Sequence, residues 1–226
     1  MTAYAVNDNG TYTALRAAND KSAYTLSFTG SRLGVFALTD LLDGELPFRD
    51  VNTGDWYYDD VRYVYENGLM NGVTTTQFAP KTDITRGMLV TILYRHAGSP
   101  DVTGLPNPFA DVAPQSWYAK AVIWAAANGV VKGTSAATFA PEDAITREQI
   151  AAILYRYNGE AVTGDLLSSF PDADAVSGYA VEAMQWAVSR GLISGDPASD
   201  GTLWLRPRDG ATRAQIAKIL WVWLGA

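Results

Sequence analysis

Three arginines stand where a helix least favours a cation. Each follows a threonine that opens an apolar-periodic segment: Arg86 in "ITRGMLVTILYR", Arg147 in "ITREQIAAILYR" and Arg213 in "ATRAQIAKILWV". The first turn of a helix carries partial positive charge, so an arginine there opposes the dipole. The threonine needs no special account, because its hydroxyl caps the helix. Gln149 and Gln215, three residues on, complete a capping box, whereas Met88 breaks the pattern and leaves Thr85 to cap alone. Two roles are open to the arginines. One is a salt bridge to an aspartate elsewhere, such as Asp50 or Asp111. The other is an anion site, since a guanidinium fork and a helix N-terminus both favour a carboxylate or phosphate.

The elements that position these residues repeat along the chain. Residues 47–98 align with 108–159 at a constant offset of 61, without gaps, with 21 of 52 positions identical. "PFRDV" matches "PFADV", "WYYDDV" matches "WYAKAV", "NGLMNG" matches "NGVVKG", and "QFAPKTDITR" matches "TFAPEDAITR". A third, more divergent copy opens with "SFPDA" and has Gly178 in place of the tryptophan. Its following loop, "DPASDGTLWLRPRDGATR", is four residues longer. Such self-similarity marks a repeat architecture.

Each copy predicts two helices. The first begins near Trp56 or Trp117 and ends at "NG" or "RG", where glycine suits a left-handed cap. The second begins at Thr85, Thr146 or Thr212, with an apolar face at helical spacing. The roughly 16-residue loop between them is too long for a plain connector. Residues 1–46 differ: "TYTAL", "AYTLSF" and "VFAL" read as two or three short strands. The expected fold is mainly α, with three tandem helix-loop-helix units after a short β-rich segment. The expected divisions are 1–46, 47–107, 108–168 and 169–226, the first being the tail of a β domain that precedes it.

Composition narrows the function. The content is 48% hydrophobic and 18% charged, which is that of a globular protein. A net charge of −7 argues against nucleic acid and anionic lipid as partners. There is no cysteine and one histidine, His96, so thiolate chemistry and a His-rich metal site are not expected. No apolar run reaches the length of a membrane span. The opening "MTAYAVNDNG" does not read as a signal peptide, so any exporting segment is expected outside this chain. "DPASDGTLWL" misses the spacing of a calcium loop. Trp56-Tyr57 and Trp117-Tyr118 read first as core anchors, although an exposed indole beside an arginine would suit the C–H face of a sugar. Asp50, Asp111 and Asp172 read first as caps or turns at the start of the first helix.

These motifs together resemble the surface-layer homology (SLH) repeat of bacterial cell-surface proteins. The shared marks are an opening F-x-D-V, a W-[YA]-x-x-A/V helix, N-G-x-[MV]-x-G, F-x-P, and a T-R-A-E signature that here reads "TRGM", "TREQ" and "TRAQ". The resemblance covers about 180 of the 226 residues, in three copies. It implies a pseudo-threefold helical bundle with grooves between repeats. Those grooves would bind secondary cell-wall polysaccharide of the pyruvylated N-acetylmannosamine type, tethering a secreted protein to a Gram-positive-type wall without cofactor or catalysis. Groove residues implied by the match are Arg86, Arg147, Arg213, Gly72, Gly133 and Gly195, with Asp50, Asp111, Asp172, Trp56 and Trp117 beside them. A monomeric module without membrane insertion is expected. The missing signature glutamates and the divergent third copy imply unequal grooves. Two other classes stay open: a protein-protein or oligomerisation module of a surface protein, and the remnant of a cell-wall glycoside hydrolase working through paired carboxylates.

Overall fold

The computed structural model of the protein describes residues 46–225 and, before them, five short strands. These are β1 (Thr2–Val6), β2 (Tyr12–Ala14), β3 (Ala17–Asp20), β4 (Thr25–Phe28) and β5 (Phe36–Thr39). They form an antiparallel sheet of order β2-β1-β5 and a separate β3-β4 pair. Three of them coincide with the strands read from sequence. β1 and β3 go beyond that reading; "AAND" has poor strand formers and takes its conformation from pairing with β4.

The rest is helical. Each repeat contributes two helices: α1 (Tyr58–Glu66) and α2 (Arg86–His96), α3 (Ala119–Ala127) and α4 (Arg147–Asn158), then α5 (Val181–Ser189) and α6 (Arg213–Leu224). The first helix of each repeat stops at a glycine with positive φ, namely Gly68, Gly129 and Gly191. In the first, Gly68 N–H donates to Tyr65 O and Leu69 N–H to Val64 O, a Schellman closure that the other two repeat. The residue after each glycine (Leu69, Val130 or Leu192) is buried, so the turn also seals the core. The second helices start as expected. Thr146 with Gln149 and Thr212 with Gln215 form full capping boxes, while Thr85 accepts from Met88 N–H alone.

The repeats close into a ring. α3 packs on α2, α5 on α4, and α1 returns to α6, so the first helix of each repeat lies against the second helix of the one before. Main-chain hydrogen bonds follow the same circuit. Arg86 and Gly87 N–H donate to Asp143 O and Pro141 O. Arg147 and Glu148 donate to Asp209 O and Pro207 O, and Arg213 and Ala214 to Thr82 O and Pro80 O. The two amides of each helix start are thus satisfied by the loop of the next repeat. At the centre, Ile84, Ile145 and Ala211 occupy equivalent positions and are buried; Ile84 N–H donates to Ala211 O, and Ile145 N–H to Ile84 O.

The aspartates hold the long loops. Asp50 accepts from Phe78 and Ala79 N–H, Asp111 from Phe139 and Ala140, and Asp172 from Leu205 and Arg206, all at 2.7–2.9 Å. Ala79, Ala140 and Arg206 have positive φ, an unfavourable conformation for a side chain, and the bidentate carboxylate fixes it. Of the two readings of these aspartates, turns stand and helix caps do not: each lies in a turn, and the N-cap residues of α1 and α3, Tyr57 and Tyr118, have no side-chain cap. Gly72 and Gly133 serve close approach. A Cβ on Gly133 would lie 2.2 Å from Ser135 O and 2.5 Å from Thr138 O, and one on Gly72 is equally blocked. In the third copy the longer loop becomes a hairpin of β6 (Asp196–Pro197) and β7 (Leu203–Trp204).

Two outcomes are expected. Gly133→Ala should lower unfolding free energy by about 2–3 kcal/mol in urea denaturation, because backbone, not a flexible side chain, blocks the methyl. Asp111→Asn should cost roughly 1–3 kcal/mol at neutral pH through its weakened amide acceptor. Burial works against the Asp111 charge, but the Phe139 and Ala140 N–H groups outweigh it and hold its carboxyl below the usual range. Its contribution is therefore complete above the unfolded value, about 3.9, and lost as pH falls through the lower folded one. Between about pH 5 and 2 the asparagine variant should lose stability less steeply than wild type.

Candidate functional site

Two grooves lie where three repeats meet. The first, about 400 Å³, has Met70–Val73 and the α2 residues Met88, Thr91, Ile92 and Arg95 on one side, with Trp117 from repeat two and Arg213 from repeat three. The second, about 310 Å³, is its rotated counterpart. It takes Gly191–Asp196 and the α6 residues Gln215, Lys218, Ile219 and Val222 from repeat three, with Trp56 and Arg147. The third set of equivalent positions is Lys132, Gly133, Arg156 and Arg86, of which Arg86 donates to Lys132 O, and the tryptophan position there is Gly178.

The three arginines do not form salt bridges with Asp50 or Asp111. Arg213 is buried; Nε donates to Phe78 O and an η nitrogen to Asn71 O, each at 2.7 Å, and the guanidinium sits 4.5 Å over the Phe78 ring. Burial pulls its pKa down to about 10, with Asp50 pushing it back up, so it stays charged at neutral pH. Arg86 repeats this arrangement on Phe139 O, Lys132 O and the Phe139 ring. Each therefore latches its repeat to the next one through carbonyls and an aromatic face. Arg213 also lines the first groove.

Arg147 departs from the pattern. The phenylalanine is Leu205 here, and the guanidinium turns to Asp196, 3.0 Å away. Its Nε is buried without a partner. Glu148, beside it, takes over the repeat-two to repeat-three contact by accepting from Ser177 N–H, the Ser177 hydroxyl and the Tyr179 hydroxyl. Burial and Glu148 raise the Tyr179 phenol to about 12, against the pull of Arg86 and Arg156.

Trp56 and Trp117 are not core residues. Trp56 is 60% and Trp117 57% exposed, each held edge-on against the buried Tyr57 or Tyr118 ring. The expectation of core anchors is met by those tyrosines. Lys218 lies 5.6 Å over the Trp56 ring. It also faces the buried Asp60 of α1, whose carboxyl is raised by burial and pulled back by Lys218. Gly72 and Gly195 line the two grooves; Asp50, Asp111 and Asp172 stand behind the loops, as described above. Reading the sequence missed Arg95, Lys218, Glu148 and Asp196. Arg95 had a signal: "ILYR" recurs with its arginine, which no buried face requires. Among the described residues no group of carboxylates or histidine could hold a metal ion.

The S-layer homology domain family matches residues 47–87, 108–151 and 169–217. The chain belongs to this family. Its members are non-catalytic modules that anchor surface proteins to the cell wall. Among curated relatives, an endoglucanase of Bacillus sp. (strain KSM-635) is 30% identical over 178 residues, 77% of this chain and 18% of the relative. The surface-layer 125 kDa protein of Lysinibacillus sphaericus is 33% identical over 155 residues, 66% of this chain and 12% of the relative. Exoglucanase XynX of Acetivibrio thermocellus is 29% identical over 203 residues, 87% of this chain and 17% of the relative. The SLH chain thus spans less than a fifth of each of these proteins.

The SLH arginines should separate by stability. Arg86→Ala and Arg213→Ala remove two charged hydrogen bonds and a cation-π contact each, and should cost about 2–4 kcal/mol. Arg147→Ala removes a single ion pair to a solvent-side carboxylate together with a partnerless donor, and should stay within about 1 kcal/mol of wild type. Urea unfolding of the three variants checks the order; equal losses would remove the distinction between latch and groove arginine.

Proposed function

We propose that this chain binds an acidic secondary cell-wall polysaccharide of the pyruvylated N-acetylmannosamine type through its inter-repeat grooves, and so holds a larger extracellular protein on a Gram-positive-type wall. The observation that carries this is the groove of Trp117, Arg95 and Arg213. An exposed indole offers an apolar face for a sugar ring. Arg95, also exposed, donates to Leu69 O at 3.5 Å and has no carboxylate within ion-pair distance among the described residues, leaving its fork for a ketal carboxylate. Gly72, in the groove wall, lets the loop close on Phe48 and its own carbonyls and so fixes that wall. The aspartates serve this function from behind, by fixing the loops. The relatives named above support a tether shared by surface-layer proteins and secreted glucanases, with the parent protein's own task lying outside the matched module.

A sacculus pull-down tests this. Wild-type chain should sediment with walls that carry the polymer and stay soluble with walls stripped by mild acid. Trp117→Ala and Arg95→Ala should each weaken binding at least about tenfold, or about 1.4 kcal/mol, while leaving the thermal midpoint nearly unchanged because both side chains are exposed. Unaltered binding by both variants would move the site elsewhere. Release of reducing sugar by the chain would overturn the non-catalytic reading.

A further inference from the structure

The two grooves differ at several equivalent wall positions: Met88, Thr91 and Arg95 of the first answer to Gln215, Lys218 and Val222 of the second, and a further difference places a carboxylate in one wall. The residue after the groove glycine is Val73 in the first copy, Thr134 in the second and Asp196 in the third. In the first groove no carboxylate lines the walls. In the second, Asp196 is both a wall residue and the partner of Arg147, Oδ2 to Nη at 3.0 Å. The longer hairpin of β6 and β7 carries Asp196, and replacement of the latch phenylalanine by Leu205 frees the guanidinium to reach it. Arg147 side chain is 12% exposed and Asp196 37% exposed, so the pair sits at the groove wall with the carboxylate on the solvent side. The unpartnered Nε shows that this arrangement satisfies the arginine only in part.

We propose that Asp196 is a built-in anion that sets the ligand charge of the Trp56 groove: by occupying Arg147 it leaves that groove to uncharged sugar residues and bars a carboxylate-bearing one. The inference rests on the glycan-binding reading of the grooves. A ligand carboxylate that reaches Arg147 must displace Asp196 and then lie next to it, two like charges in one site. An uncharged sugar beside Trp56 meets Gln215 and Lys218, whose ammonium lies over the indole ring, as donors and suffers no such repulsion. The Trp117 groove, with Arg95 and Arg213 and no carboxylate in its walls, takes the acidic residue. One chain thereby grips a polymer at two chemically different units.

The indole N–H signals of Trp56 and Trp117, identified by Trp→Phe variants, report each groove separately in NMR titrations. The probes are an N-acetylmannosamine glycoside with and without a pyruvate ketal. In wild type the ketal sugar should move Trp117 and leave Trp56 in place, and the neutral sugar should move Trp56. In Asp196→Asn, and in Asp196→Thr, which installs the repeat-two residue, Trp56 should respond to the ketal sugar with at least a tenfold gain. Adding Arg147→Ala should abolish that gain. Trp117 responding while Trp56 ignores the ketal sugar in both Asp196 variants overturns the proposal, as does a wild-type Trp56 that already binds it as tightly or ignores the neutral sugar. A Trp117 signal unmoved by either sugar overturns the glycan-binding reading itself, and the proposal with it.

Discussion

The opening turn of an α-helix leaves amide N–H groups that nothing inside the helix can satisfy. In this protein the starts of α2, α4 and α6 all face inward, where water is scarce, and the threonine hydroxyl can serve only one donor of each. The remaining donors are met by carbonyls of the adjacent repeat's loop. That requirement orders the molecule. It forces every long loop to present its Pro-containing corner to a neighbouring helix, fixes the contact between repeats, and sets the mouths of the grooves between them. The aspartate behind each loop and the crowded glycine within it are the means by which that corner keeps its shape.

An arginine at the first helical position makes sense inside this arrangement. The dipole penalty is small, and the side chain points along the same path as the amides beneath it. Two carbonyls and an aromatic ring then receive the guanidinium of Arg86 and of Arg213. The charge stays inside a shell of main-chain dipoles rather than against a second ion, which avoids burying two charges together. Between repeats two and three the chain solves the same contact differently, with Glu148 clasping Ser177 and Tyr179. Once that clasp exists, the latch is dispensable, and Arg147 is the one of the three arginines turned to a carboxylate in a groove wall.

Much of this was legible before any coordinates. The offset between copies gave the repeat, the capping residues gave the helix starts, and "NG" gave the helix ends, because each rests on local chemistry. The placement of side chains was less legible. Trp56 and Tyr57 are adjacent aromatic residues at the start of a helix, and nothing in their types says which turns inward; the packing of the preceding repeat's helix decides it. The turns at the aspartates were legible, but their amide partners were not, because those lie about thirty residues away, beyond any capping pattern. The sequence treats the three arginines alike, and the structure sets Arg147 apart through its ion pair and its unpartnered Nε. Its partner Asp196 lies in the insertion of the third copy, where alignment between copies says least.

A ring closed by its own first and last members differs from an open stack in how it can grow. Repeat three donates to repeat one, so both terminal faces are consumed and none remains to seat a fourth unit. Duplicating a single copy of the gene segment would therefore yield a surplus unit with an unsatisfied helix start and an uncovered flank. Lengthening such a protein by descent is expected to proceed in whole triplets. Within a triplet the copies are free to diverge at the groove while the central contacts hold them in step, which is the pattern of drift between the first two copies and the third.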